Sequence, residues 1–356
     1  MTDRVLRVGI YRPAELPQSF RVYADNVERY FPELGIEAVH FDSKVAIPQT
    51  VDVLWDIRSG GGNPPLEFLL DSKIPLVMTV HGFAPISLSG WEYFQAIKGA
   101  FLSKRYARDK LKRWEELKEG VAAMIAVSQF TKEEAVRLTG VPEHKIVVCT
   151  HGVSPEFGVQ EPQMPKENYF LHISNNEPRK NVARIVEAFQ RLKKTHDVRL
   201  KLKLPRAEGG KYQNIKGVEL IQGMLSTEDL VELYQKASGF VFPSLYEGFG
   251  MPILEAMACG CPVITSNVSA CPEVAGEAAI IIDPRNVQAL QNAMEQLIDQ
   301  THGISQSLIT AGLQRAARFD WKKSAEGHAE MLIRANQTTH SLEPGLFMNA
   351  LSRERS

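Results

Sequence analysis

The stretch that most constrains this chain is Ser244 to Pro262, Ser-Leu-Tyr-Glu-Gly-Phe-Gly-Met-Pro-Ile-Leu-Glu-Ala-Met-Ala-Cys-Gly-Cys-Pro. Short apolar runs of strand length, Gly239-Phe-Val-Phe-Pro243 and Pro262-Val-Ile-Thr265, bracket it. Between them the chain must turn, run a short helix and return. Gly248 and Gly250 suit the turn, Pro252 suits the first helical turn, and Gly260 suits a C-terminal stop. The unit reads as β-loop-α-β. Its helix N-terminus, carrying unpaired N–H groups and partial positive charge, faces the carboxyl edge of the sheet, where a phosphate is well placed.

Glu247 falls in the loop and Glu255 in the first helical turn. Both carboxylates can face one ligand; alternatively Glu255 complements the helix dipole and Glu247 is a solvated loop carboxylate. Upstream, Glu177-Pro-Arg-Lys-Asn181 forms a second strand-to-helix loop, and Pro272-Glu-Val-Ala-Gly276 follows the unit.

Together these segments closely resemble the signature of the retaining GT-B glycosyltransferases of family 4, with its two glutamates separated by seven residues. The resemblance covers roughly 169 to 284 and is much weaker before residue 120. It implies an α/β protein of GT-B architecture, two doubly wound parallel-sheet (Rossmann-like) domains facing a cleft. The implied donor is a nucleotide-diphospho-sugar. Glu255 would accept from the ribose hydroxyls, and Glu247 would lie near the donor sugar and its phosphates. Arg179 and Lys180 are cations suited to a diphosphate that gains charge as the glycosidic bond breaks; their alternative is a solvated helix start, where the dipole disfavours them. The family often has an Arg six residues before the Lys, where this chain has Ser174. Gly248, Gly250 and Pro252 bring backbone to the donor. Phe249 and Met251 would pack on its sugar and Met224 and Leu225 against its base, or all four are core. His81, after an apolar run and before Gly82, inherits a sugar-positioning role; the bland reading is a structural histidine. Retention in this family is usually explained by same-face attack, the donor phosphate taking the acceptor's proton.

No Asp-x-Asp pair and no clustered His and carboxylate set has metal-ligand spacing, so neither a metal nor another cofactor is expected. With 356 residues, 44% hydrophobic, the chain can bury two cores. A net charge of −1 gives no global attraction to nucleic acid, and none is expected as a partner. Four cysteines without C-x-x-C spacing read as buried hydrophobes in a reducing compartment. The N-terminus has no signal-peptide pattern and no apolar run reaches about 18 residues, so the expected location is cytoplasmic, with peripheral contact to the inner face of the membrane as an option.

In order, strands are expected at 5–11, 36–41, 51–57, 74–80, 121–127 and 145–149, with a helix over 19–33 and another from Ser128 or Thr131, supported by Glu134 as a capping partner. This alternation defines an acceptor-side domain at 1–157. Polar, proline-rich 158–166 reads as a linker, and 167–320 as the nucleotide-sugar-binding domain with a capped helix at Ser226. A helix over 321–337 crosses back to the first domain, as in GT-B relatives, and 338–356 reads as a disordered tail.

Two regions bear on the acceptor. Many family members carry a glycine pair after the first strand; here the loop is Arg12-Pro-Ala-Glu-Leu-Pro-Gln-Ser, which leaves open whether a carbohydrate, a lipid-linked molecule or another hydroxyl compound accepts the sugar. Residues 98–118 carry eight basic and three acidic residues, with Trp91, Phe94, Phe101, Tyr106, Leu111 and Trp114 interleaved over 91–118. This stretch is an ordinary amphipathic helix, a surface for anionic lipid, or a flank of an anionic acceptor site. Three functional readings follow: a metal-independent retaining glycosyltransferase, a non-catalytic nucleotide-sugar-binding subunit supporting a partner, or another GT-B enzyme such as an epimerase or sugar-phosphate synthase.

Overall fold

A computed structural model describes residues 5–94, 97–159, 164–175, 177–205, 210–299 and 303–340. Strands Leu6–Tyr11 (β1), Ile36–Phe41 (β2), Val53–Ser59 (β3), Leu76–Val80 (β4), Val121–Ala126 (β5) and Ile146–Val148 (β6) form one sheet in the order β2-β1-β3-β4-β5-β6, every pairing parallel. Helices Gln18–Glu28 (α1), Glu67–Asp71 (α2), Ala84–Ser87 (α3), Gly90–Phe94 (α4), Ile97–Leu117 (α5) and Gln129–Thr139 (α6) connect them. A parallel sheet covered on both faces needs apolar residues at successive positions, which explains why Leu-Val-Met-Thr-Val of β4 is buried throughout.

The second sheet is built from Glu167–Ile173 (β7), Arg199–Lys203 (β8), Val218–Ile221 (β9), Ala237–Phe242 (β10), Val263–Ser266 (β11) and Ile280–Ile282 (β12), in the parallel order β12-β11-β10-β7-β8-β9. Its helices are Val182–Leu192 (α7), Thr227–Lys236 (α8), Met251–Ala258 (α9), Cys271–Ala275 (α10), Val287–Ile298 (α11) and Ile304–Ala316 (α12). The chain winds outward from β7 to β9, then returns to lay β10 on the other side of β7. That reversal opens a crevice beyond the carboxyl ends of β7 and β10, the place where doubly wound sheets hold ligands.

The last helix, Trp321–His340 (α13), packs into the first sheet's core, where Trp321, Ala325 and Leu332 are buried with Tyr23, Val27 and Trp55. A directed polar chain fixes it there. Trp55 Nε1–H donates to Thr79 Oγ1 at 2.9 Å, Tyr23 Oη bonds both Thr79 Oγ1 and His328 Nε2, and His328 Nδ1–H donates to the Ser324 carbonyl at 2.6 Å.

Several boundaries depart from expectation for identifiable reasons. The helix expected over 19–33 ends at Glu28, because Pro32 clashes with a helical carbonyl four residues back, and a single 3₁₀ turn, Pro32–Leu34, follows. The 91–118 stretch is two helices, with 95–96 outside the described residues. The final helix continues three residues into the expected tail, to His340; residues 341–356 lie outside the described residues. Ser226 and Asp229 form the anticipated reciprocal capping box.

Candidate active site

Two loops meet at the crevice between β7 and β10. After β7, Pro178–Lys180 makes one 3₁₀ turn that ends on Asn181 in the left-handed region, φ 65°. Asparagine tolerates that conformation, and its amide Nδ2 here donates to the carbonyls of Pro243 at 2.9 Å and Pro284 at 2.7 Å. Leu245 N–H donates to the Arg179 carbonyl at 2.7 Å. The two loops are thereby tied together, and Arg179 and Lys180 meet Glu247.

Lys180 Nζ lies 2.6 Å from Glu247 Oε1, and Arg179 Nη1 lies 3.0 Å from Glu247 Oε2. Arg179 also donates through Nη1 to the Tyr246 carbonyl and through Nε to Glu177. Glu247 is 7% exposed, and its backbone N–H donates to Ser269 Oγ at 2.9 Å. Burial alone would push this carboxyl up, but the two cations prevail and hold it down at about 2. Arg179 is raised because Glu247 and Glu177 outweigh its burial. Lys180 is lowered, since burial and the neighbouring Arg179 together exceed the pull of Glu247. Glu247 is the buried carboxylate of the cluster, and the more exposed Glu177 pairs with Arg179 at its rim. Glu247 takes one of the three Lys180 N–H donors, and the other donors can serve an arriving anion.

Gly250, φ 107°, is the N-cap of α9 and Pro252 stands in its first turn, so the backbone of Gly248 to Pro252 leads into that helix start. Glu255 lies one turn further in than expected. It is half-buried, accepts from Tyr234 Oη at 3.1 Å and is pushed up to about 7 by burial. Phe249 turns its ring into the core, tilted on His151 with centroids 4.7 Å apart and edge-on to Phe319 at 5.8 Å; packing is its role here. Met251 packs where the two domains' cores meet. Met224 is 89% exposed, and Leu225 lines a cavity of about 480 Å³ with Tyr169, Lys201 and Leu233, along the face of α8. His81 stacks on Phe20 at 4.4 Å, donates through Nε2–H to the Ile57 carbonyl at 2.9 Å and is lowered to about 4 by burial, so it is neutral. Its backbone touches the signature loop: a Cβ on Gly248 would lie 1.9 Å from the His81 carbonyl oxygen. Among the described residues no group of three or more His, Cys, Asp or Glu could hold a metal ion.

Residues 155–315 match the family model for glycosyl transferases group 1, and residues 58–157 match that for glycosyltransferase family 4. The chain belongs to the GT-B glycosyltransferases of family 4. It is 34% identical over 220 residues to the O-antigen chain mannosyltransferase B of Escherichia coli, covering 56% of this chain and 57% of that protein. It is 29% identical over 251 residues to the serotype-specific mannosyltransferase WbdA of Escherichia coli, covering 64% of this chain and 30% of that protein. The chain thus spans between about a third and just over half of these relatives' lengths. Its fold superposes on Anabaena HepE in complex with UDP and glucose with a TM-score of 0.69 at 14% identity, covering 92% of this chain and all of that one.

Within this family 4 chain, the sequence pattern misses groups that hold the loop from a distance. Ser269, φ 57°, caps the Glu247 N–H, and nothing local marks it. Glu134, expected as a helix-capping partner, points elsewhere. Ser128 caps α6 by accepting from Thr131 N–H, and Glu134 accepts from Tyr246 Oη of the other domain.

Proposed function

We propose that the protein is a retaining, metal-independent glycosyltransferase that moves a hexose from a nucleotide-diphospho-sugar to an acceptor hydroxyl. The observation that supports it most is the Arg179–Lys180–Glu247 cluster, two cations on one buried carboxylate, at the β7/β10 crevice. A diphosphate leaving group is an anion that these donors can accept, and its departure is eased where the cations are already fixed. Glu255, once ionised, is placed on α9 to accept from a ribose diol. Mannosyl transfer to a growing saccharide is the donor and acceptor class favoured by the names of the two bacterial relatives.

Peripheral contact with anionic lipid through residues 91–118 belongs to the same proposal. Trp91 is 57% exposed and Tyr106 41%, beside exposed Arg105, Arg108 and Lys112. The aromatic set is not one face, however: Trp114 is fully buried and donates to the Gly62 carbonyl, and Lys110 is tied to Gly61 and Asn63. No described helix is long and apolar enough to cross a membrane. Co-sedimentation with anionic vesicles at low salt and release at high salt is the expected result; a protein left in the supernatant at low salt removes this element of the reading.

The transferase reading is tested by incubating the protein with a panel of nucleotide sugars and saccharide acceptors and following the anomeric proton of the product by NMR, with and without EDTA. Retained configuration and indifference to EDTA are expected. An inverted product, or activity that requires added divalent metal, contradicts it.

A further inference from the structure

The loop carrying Glu247 is gripped by the other domain on both sides of that residue. Tyr246 is 4% exposed and its hydroxyl sits between two groups of the first domain: it accepts from Phe83 N–H at 2.6 Å and donates to Glu134 Oε2. Two residues on, the Gly248 carbonyl accepts from Ser128 Oγ at 2.6 Å and Thr131 Oγ1 at 2.9 Å, both at the start of α6. A third contact completes the grip: the Glu273 carboxylate accepts the backbone N–H groups of Gln129 at 2.8 Å and Phe130 at 3.0 Å. Glu134 is itself fixed, accepting from Ser87 Oγ and Arg137 Nη2.

Tyr246 is therefore connected at both ends. Its hydroxyl reaches the first domain, while its carbonyl accepts from Arg179 Nη1, which also donates to Glu247. We propose that Tyr246 and Glu134 are positioning residues that couple docking of the two domains to the orientation of Arg179 and Glu247. Swinging the domains apart removes the partners of the Tyr246 hydroxyl and the Gly248 carbonyl together, and frees the peptide that holds Arg179. Burial and the nearby Glu134 raise the Tyr246 hydroxyl well above its ordinary pKa, so it stays a donor at all working pH values.

This inference rests on the transferase reading, but its first readout does not. Tyr246→Phe keeps the ring and its edge-on contact with Phe130 while removing the hydroxyl; Glu134→Ala removes the acceptor, and Glu134→Gln keeps one. Small-angle X-ray scattering of the full chain should give a larger radius of gyration for Tyr246→Phe and Glu134→Ala than for wild type, with Glu134→Gln close to wild type. Turnover of the nucleotide sugar should fall about tenfold or more in the first two variants, by no further factor in their double variant, while calorimetric affinity for the free nucleoside diphosphate changes less than about twofold, the sign that closure and not binding is lost. Scattering curves and turnover unchanged in Tyr246→Phe would overturn the proposal, as would multiplicative losses in the double variant. If wild type turns over no nucleotide sugar, the transferase reading fails, and the scattering comparison alone decides the coupling.

Discussion

The two faces of the cleft are built on the same kind of sheet but treat charge in opposite ways. On the β7/β10 side, one buried carboxylate, Glu247, is held between two partly buried cations. On the β1 side, Arg12 replaces the glycine pair of many relatives, and it spans partners on its own domain, Asp25 and Glu28, with His40 also on Glu28. Two cations fixed around one carboxylate can stabilise developing negative charge without reorganising, whereas a cation already held between two carboxylates is neutralised within its own domain.

The largest effect should come from removing a cation of the buried cluster. Lys180→Ala and Arg179→Ala are each expected to cut turnover roughly ten- to a thousandfold, the range for losing stabilisation of developing charge, and Lys180→Ala should also lower the melting temperature, because Glu247 is left buried with one partner fewer. Steady-state kinetics and thermal melts check both. Next, Gly248→Ala has no room for its methyl against His81, and displacing the loop should cost about a hundredfold in turnover, with nucleotide affinity nearly kept; full activity in this variant would mean that the domains need not meet there.

A smaller effect is expected at Glu255. Its carboxyl titrates at about 7, so it ionises on going from mildly acid to mildly alkaline solution. Nucleotide affinity should strengthen as pH rises through about 7, and that dependence should vanish in Glu255→Gln; calorimetry at several pH values checks it. Stability runs the other way for this group. Its folded pKa exceeds the usual carboxyl value, so its burial is harmless at acid pH and costs stability as pH rises from about 4.5 through about 7. Glu247 has the opposite sign: held at about 2, it contributes stability above the usual carboxyl range that is lost as pH falls toward 2. The smallest effect should be Arg12→Ala, which is expected to change nucleotide affinity by less than about twofold while altering acceptor KM, a direct contrast between the two faces measured on one protein.

The strands and the β10-loop-α9-β11 unit are legible in the sequence because a parallel strand buried on both faces needs an unbroken apolar run, and because glycine and proline mark where such a run must turn. The pairing of Arg179 and Lys180 with the loop after β10 is legible only through the family resemblance; no local pattern joins residues 179 and 247. The contact of Tyr246 with Glu134 is not legible at all. It joins residues 112 positions apart across two domains, and local spacing points Glu134 instead to a cap that Ser128 and Glu273 provide. The partner of Trp114 is hidden for a related reason: its indole meets the Gly62 carbonyl, a group supplied by the tertiary fold, which decides for the core reading of that aromatic. The charge of Glu255 is hidden from the sequence because its burial beneath Tyr234, not its distance from the helix start, sets it.

The most direct test of the buried cationic cluster is the rate of nucleoside diphosphate release from a panel of nucleotide sugars, measured with a saccharide acceptor for wild type and for Lys180→Ala side by side. Acceptor-dependent release from one sugar nucleotide by wild type, reduced at least about tenfold in the variant, is the predicted result. Release at the same rate from both proteins would contradict it.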